Sequence, residues 1–484
     1  MLCMSTTDLV ASTGAVLLCA GSAQLAGEVV IDSRQVEKGS VFVAFAGERV
    51  DGNAYALGAV RSGAGAVVLS ADPVDGLLEQ AEACGCAVLR AENDDCEEFL
   101  LRLAGAWVSR HPQWLVVGVT GSVGKTTTKD MLRAGISSQR RCHATAGNFN
   151  NLIGMPLTVL SAPEDTEVLV LELGMNHPHE IERLVAACHP ACACITNVGT
   201  SHIGLLGSRE NIARAKGEIC SGMRESQGVG PVLAMMASGD FTSFIEREFA
   251  EPAGVRVVRT RVTEGEPAAD ADAVCAWGVS LSEDGCATFV ARATGGWQRE
   301  VTLSVPGRHV VEDFTLALEL CDVLGLDLDV ACEAISKMPA TKMRLSVVRT
   351  PGKPTVIDDS YNASPSSMAA ALDVLSEMRC AGRRVAVLGE IGELGSEEER
   401  LHDLVGAYAA AKPLDELVFV GGAMANRMAE AARVMGFSDD HINAVATPAD
   451  AVALLLALCD ENDVILAKAS RSAGLDAVVR GVLA

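Results

Sequence analysis

Short apolar runs rich in Val, Ile and Leu alternate with longer Ala/Leu-rich segments along the whole chain, and this rhythm restricts the fold more than any other feature. The runs fall at Ala66–Ser70, Leu115–Thr120, Val168–Glu172, Cys194–Asn197, Thr355–Asp358, Val385–Gly389, Glu416–Val420 and Asp463–Ala467. Each is too short for a helix and apolar at successive positions, as a strand covered on both faces must be. The intervening segments suit crossover helices, so the sequence predicts α/β layers with mostly parallel strands.

A chain of 484 residues exceeds what one hydrophobic core usually organises. Composition shifts at Arg102–Trp114 and Lys337–Arg344 place cuts near 110 and 340, giving domains 1–110, 111–340 and 341–484. Within the middle one, Val255–Pro306 reads as hairpin material with Gly-Glu-Pro and Gly-Gly turns. No fixed-period repeat or low-complexity tract is present.

The formal charge of -24 repels phosphate backbones and anionic membrane surfaces, so nucleic acid is not an expected partner. A polyanionic small substrate requires a local pocket that overrides this field. The apolar stretch Val16–Cys19 has no Lys or Arg before it, the first being Arg34, and no apolar run is long enough for a bilayer. The expectation is a cytoplasmic protein without membrane insertion, acting as a monomer. The 16 cysteines form no paired C-x-x-C knuckles. Even Cys188, Cys192 and Cys194 are expected to pack as small hydrophobes in a reducing compartment.

The local positive pocket lies after Leu115–Thr120, in Gly121-Ser122-Val123-Gly124-Lys125-Thr126, with Thr127–Gly135 reading as a helix. In this strand, glycine loop and helix, the glycines let backbone N–H groups turn toward phosphate oxygens. Lys125 adds a point charge and the Thr126 hydroxyl is placed for Mg²⁺. Val119 stands where the longer phosphate-loop pattern has its first glycine, so this is the shorter G-x-x-G-K-T form. The loop alone leaves kinase, GTPase, motor and ligase open.

Further blocks follow in order: Thr145–Leu157 with Asn148-Phe-Asn150-Asn151, Leu171–His177, Asn197–Gly204, Ala213–Ile219, Val356–Pro365, Val387–Gly395 and Ala467–Arg471, preceded by Asp32-Ser33-Arg34 and Gly39–Gly52. In order and spacing they resemble the Mur ligases over nearly the whole chain. The resemblance implies a three-domain α/β fold: a central ATPase-type domain with a mostly parallel sheet, an N-terminal α/β domain for the UDP-substrate and a Rossmann-like C-terminal domain. It implies an ATP-dependent ligase that activates a carboxylate as an acyl phosphate and joins it to an amine. The substrates implied are UDP-N-acetylmuramoyl tripeptide and D-alanyl-D-alanine.

By the same resemblance Lys125, His202 and Lys216 are catalytic, Glu172 and His202 meet Mg²⁺ with Thr126, and Lys216 joins them when carbamylated. Gly121, Ser122, Val123, Gly124, Lys125, Thr126, Thr127, Asn150 and Asn151 would hold ATP. So would Arg344, Asp359, Tyr361 and Asn362 from the closing C-terminal domain. Ser33 and Arg34, with the Gly47–Gly52 turn, would receive the uridine nucleotide, and Lys468 and Arg471 would meet substrate anions. The chain departs from the family at Val310 and Asp313, where asparagines are usual after Gly307-Arg-His309, and at Gly389-Glu-Ile-Gly392 and Lys468-Ala-Ser-Arg471. These departures predict altered nucleotide affinity. Two other readings remain at this stage: a sister ligase with a different amine or carboxylate, and a non-catalytic nucleotide-binding protein.

Overall fold

The computed structural model describes residues 2–484 apart from 22–23, 48–49 and 269–272. Three α/β units follow one another, each with its own sheet. In the first, strands Val16–Cys19, Ala87–Arg90, Ala66–Leu69, Val41–Val43 and Val29–Val30 lie side by side, parallel except for Val16–Cys19. Leu2–Ser5 and Gln24–Gly27 form a separate antiparallel pair. The apolar stretch near the N-terminus is thus an edge strand, and among the described residues no helix is long and apolar enough to cross a membrane.

The central sheet has nine strands. Leu115–Thr120 lies inside its parallel part, with Val168–Glu172 and Cys142–Ala144 on one side and Cys192–Ile195, Val232–Met236 and Arg256–Thr263 on the other. Every residue of Leu115–Thr120, Val168–Glu172 and Cys192–Ile195 is buried, because helices cover both faces. The helices Lys125–Ser137 and Val310–Val323 pack together across one face, burying Leu132, Ile136, Phe314 and Leu318. The chain leaves Leu115–Thr120 toward one side and later returns to the other, so a crevice opens at its carboxyl end.

Two expectations need correction. The 255–306 region is not wholly hairpin: Arg256–Thr263 pairs parallel with both Val232–Met236 and Cys275–Leu281. Only Cys275–Leu281, Cys286–Arg292 and Gln298–Pro306 form an antiparallel meander. Gly-Glu-Pro therefore begins a crossover, whereas Gly295 and Gly296, both at positive φ, do turn a hairpin. The strand expected at Cys194–Asn197 runs Cys192–Ile195, which leaves Thr196 and Asn197 free to work in a loop. Cys188, Cys192 and Cys194 lie buried among apolar side chains, and burial pushes the Cys192 thiol up to about 12.

The third unit is a six-stranded sheet, ordered Ser346–Val348, Thr355–Asp359, Val464–Lys468, Arg384–Gly389, Glu416–Val420 and Ile442–Val445, parallel after the first pair. Its helices start on strong local signals. Ser364 and Thr447 each cap a helix with Pro at its first position, and each receives the backbone N–H three residues on. The strand ends of this sheet face the crevice of the central one across a cavity of about 580 Å³ lined from both units.

Candidate functional site

The phosphate loop is held open from behind. Gly121 has φ 150° and Gly124 φ 87°; a Cβ at Gly121 would lie 1.8 Å from Thr196 Oγ1, so only glycine fits. Asn197, left beyond the strand end at Ile195, accepts from Val123 N through Oδ1 (3.0 Å) and donates from Nδ2 to Val123 O (2.9 Å). The Ser122 N–H donates to the Asn197 carbonyl (3.0 Å). The first N–H groups of the Lys125–Ser137 helix lack acceptors within the helix, which makes this end an anion site. Lys125 Nζ is folded onto its own loop, donating to the carbonyls of Gly121 (2.9 Å) and Ser122 (3.3 Å). Burial, and after it the Arg344 charge, lowers its pKa, against the raising effect of Glu172.

Glu172, at the carboxyl end of its strand and 2% exposed, faces Lys125 across the crevice without a cationic hydrogen-bond partner among the described residues. Thr126 Oγ1 donates to its Oε2 (2.9 Å) and Asn150 Nδ2 to its Oε1 (2.8 Å). One neutral donor per oxygen leaves lone pairs for a hard cation, so Glu172 and Thr126 fit Mg²⁺. No three His, Cys, Asp or Glu side chains converge among the described residues. That suits a cation held by few protein ligands and by substrate phosphates. Lys216, on the helix Arg209–Gly217, is 3% exposed and makes no side-chain hydrogen bond or ion pair among the described residues. Burial, and after it the charge of Lys125, lowers its pKa well below the usual lysine range.

His202 sits at φ 62° just before the short helix Ile203–Leu206 and lines the same cavity. Its Nδ1 lies 2.6 Å from Glu393 Oε2 of the C-terminal unit, within reach of an Nδ1–H donor although the ring N–H axis is not aimed squarely at that oxygen.

The C-terminal unit contributes Arg344, Asp359, Tyr361, Asn362, Lys468 and Arg471 to the cavity wall. The guanidinium carbons of Arg344 and Arg471 lie 4.5 and 5.9 Å from the Tyr361 ring centroid, a cation–π arrangement on the cavity wall. Lys468 is 2% exposed, is ion-paired with Asp359 on the adjacent strand, and donates to the Asn362 carbonyl (3.2 Å). It is therefore engaged within the protein rather than free for a substrate anion.

Not every expected residue reaches this cavity. Ser33 and Arg34 do not line it; Arg34 is exposed and forked onto Asp32, with Nη2 to Oδ2 at 2.6 Å. In the Gly47–Gly52 turn, residues 48 and 49 lie outside the described residues. Asn151 faces the cavity but caps a helix, its Oδ1 accepting from Gly154 N (2.8 Å). Asp313 is at the cavity and nearly buried, its Oδ1 accepting from Thr128 Oγ1 (3.0 Å), and burial raises its carboxyl well above the usual range. Residue reasoning gave no role to Glu390 or Glu393. Glu390 Oε1 accepts from Gly422 N (2.8 Å), Met424 N (3.1 Å) and Ala425 N (3.2 Å), capping the helix Ala423–Val434. No local pattern marks such a contact, because its partners are distant in sequence.

A phosphate loop at the switch point of a parallel sheet, faced across a cavity by a second Rossmann-like sheet, defines a multidomain nucleotide-using enzyme. Three family descriptions match in sequence: Mur ligase family, catalytic domain, over residues 27–106; Mur ligase middle domain over 119–321; and Mur ligase, glutamate ligase domain, over 343–471. The chain is 33% identical to the UDP-N-acetylmuramoyl-tripeptide–D-alanyl-D-alanine ligase of Bacillus subtilis, covering 94% of this chain and 93% of that one. The crystal structure of MurF from Acinetobacter baumannii superposes with a TM-score of 0.86 at 28% identity, covering 100% of this chain and 99% of that one. MurF ligase from Thermotoga maritima in complex with ADP shares the fold, with a TM-score of 0.78 at 24% identity over 94% and 97% of the two chains. The chain belongs to the Mur ligase family.

Proposed function

We propose that this enzyme uses ATP to join D-alanyl-D-alanine to UDP-N-acetylmuramoyl tripeptide through an acyl phosphate, releasing ADP and phosphate in peptidoglycan precursor synthesis. The observation that carries this reading is one cavity in which the phosphate loop, the buried Glu172 and Lys216 and the Arg344–Tyr361–Arg471 stack converge. Likeness to the Bacillus subtilis enzyme over 94% of the chain supports the substrate pair.

The loop N–H groups, Lys125 and Thr127 bind the ATP phosphates, with Lys125 swinging from its own loop onto the γ-phosphoryl group. Mg²⁺, held by Thr126, Glu172, His202 and a carbamylated Lys216, would offset the charge of two anions brought together. Carbamylation requires the free-base amine, which burial and then the charge of Lys125 favour at Lys216, and the product carboxylate turns a repelled cation into an oxygen ligand. Asn150 fixes Glu172 from the side, and Asn151 shapes the loop that carries Asn150.

The tripeptide carboxylate attacks the γ-phosphorus and ADP leaves; the dipeptide amine then attacks the acyl carbonyl and phosphate leaves. Arg344 and Arg471 hold the γ-phosphate and the dipeptide carboxylate, while Asp359, Tyr361 and Asn362 close over ATP. Lys468 reaches a substrate anion only by releasing Asp359. Ser33 and Arg34 receive the uridine nucleotide away from the reacting centre. We take 1–110, 111–340 and 341–484 as the domains. A helix ends at Arg110 before the strand Leu115–Thr120, and helix Leu328–Ser336 precedes the strand Ser346–Val348. The enzyme works as a monomer in the cytoplasm.

Mass spectrometry of products tests the amine. With Mg²⁺-ATP and UDP-N-acetylmuramoyl tripeptide, D-alanyl-D-alanine should give a condensed product, whereas single amino acids should give none. Product with a single amino acid but not with the dipeptide would assign a sister ligase instead.

A further inference from the structure

The loop after strand Arg384–Gly389 of the C-terminal unit docks on the short helix that follows His202 in the central unit. The Gly204 N–H donates to the Glu393 carbonyl (3.0 Å). Two glycines permit the approach: a Cβ at Gly395, whose φ is 57°, would lie 2.6 Å from Gly204 Cα, and one at Gly204 would lie 2.5 Å from Gly395 N. Ile391 and Leu394 from the loop join Ile203 and Leu206 in one buried apolar cluster. The joint is therefore built, with backbone, glycine and apolar components. At its edge Glu393, itself at φ 63°, places Oε2 2.6 Å from His202 Nδ1. Nδ1 is buried with no other partner, and Nε2 makes no hydrogen bond among the described residues although the ring lines the phosphate cavity.

We infer that Glu393 is a positioning residue, carried in by the C-terminal domain, whose carboxylate seats on His202 Nδ1 when the domains dock and leaves Nε2 as the lone-pair donor toward the phosphate cavity. A carboxylate behind a metal-facing imidazole fixes both ring orientation and tautomer. Here that carboxylate belongs to a different domain from the imidazole, so the cation site is complete only when the domains are docked. Phosphoryl transfer is then confined to the state that shields an acyl phosphate from water.

The inference rests on the reading of His202 as a metal ligand, and the test separates the two. Mn²⁺ serves as the probe, its binding followed by electron paramagnetic resonance on the full chain with a non-hydrolysable ATP analogue and UDP-N-acetylmuramoyl tripeptide. Glu393→Ala should weaken Mn²⁺ binding about tenfold or more, the usual effect of losing such a partner. Glu393→Gln, whose carbonyl still accepts from Nδ1–H, should recover most of that loss. Gly395→Ala, which blocks docking, should match Glu393→Ala, with thermal melts confirming that each variant is folded. In the wild-type complex the ¹⁵N signals of His202 should report the Nδ1–H tautomer, and Glu393→Ala should lose that preference. Glu393→Ala binding Mn²⁺ within about twofold of wild type, or Gln being no better than Ala, would overturn the inference. Undiminished binding in His202→Ala would instead remove the metal reading itself, whatever the Glu393 variants do.

Discussion

Asp313 stands where the resemblance to the Mur ligases leads to an expected asparagine, and its burial favours the neutral carboxyl. Its Oδ1 takes the Thr128 hydroxyl, and a Cβ on Gly124 would lie 2.4 Å from that oxygen, so the carboxyl is packed against the phosphate loop. Burial raises its pKa well above 3.8, so the folded state holds this proton to higher pH than the unfolded chain does. Below pH 3.8 both states are protonated and the group is neutral in its effect. As pH rises through the raised folded value, stability is lost. Asp313→Asn should therefore raise the melting temperature at neutral pH and leave it unchanged at the acid end, as a Tm profile against pH will show. The same change should tighten ATP binding measured by calorimetry; unchanged affinity would mean that this position does not face the base. At Lys216, activity prepared free of carbon dioxide should rise when bicarbonate is restored, and Lys216→Ala should show no such response. Of these two residues, Lys216 could be picked out in sequence only by its place in the block Ala213–Ile219, because a lysine's burial without a partner is a property of the fold.

Among elements, strands buried on both faces were the most legible, since an unbroken apolar run has few other uses. Leu115–Thr120, Val168–Glu172 and Glu416–Val420 end where the sequence places them. The parallel pairing of Arg256–Thr263 with Cys275–Leu281 was not legible, because turn residues mark a chain reversal without fixing which strand it returns to. Ser33 and Arg34 were proposed from a motif, and they lie outside the cavity at the phosphate loop. Asn151 shows the opposite ambiguity, a motif residue whose visible work is helix capping. Two element contacts make predictions. Asp359 and Lys468 are register partners on adjacent strands, and the lysine is buried. Asp359→Ala strands that cation and should cost about 3–5 kcal/mol in urea unfolding, whereas replacing both residues by apolar ones should recover much of the loss. Glu390→Ala removes the cap of Ala423–Val434 and should cost about 1 kcal/mol, read by the same unfolding measurement.

At the scale of the whole molecule, a net charge of -24 coexists with a cavity where Lys125, Arg344 and Arg471 gather from two domains. Lys125 comes from the central domain and Arg344 and Arg471 from the C-terminal one, so the proposed hold on both the transferred phosphoryl group and a carboxylate draws on both. The central claim is that this cavity couples ATP cleavage to the joining of two substrates. Phosphate release from Mg²⁺-ATP with UDP-N-acetylmuramoyl tripeptide, with and without D-alanyl-D-alanine and beside a Lys125→Ala control, tests it most directly. Sustained release that needs both substrates and disappears in the control is the predicted result; ATP binding without release under any pairing would contradict it.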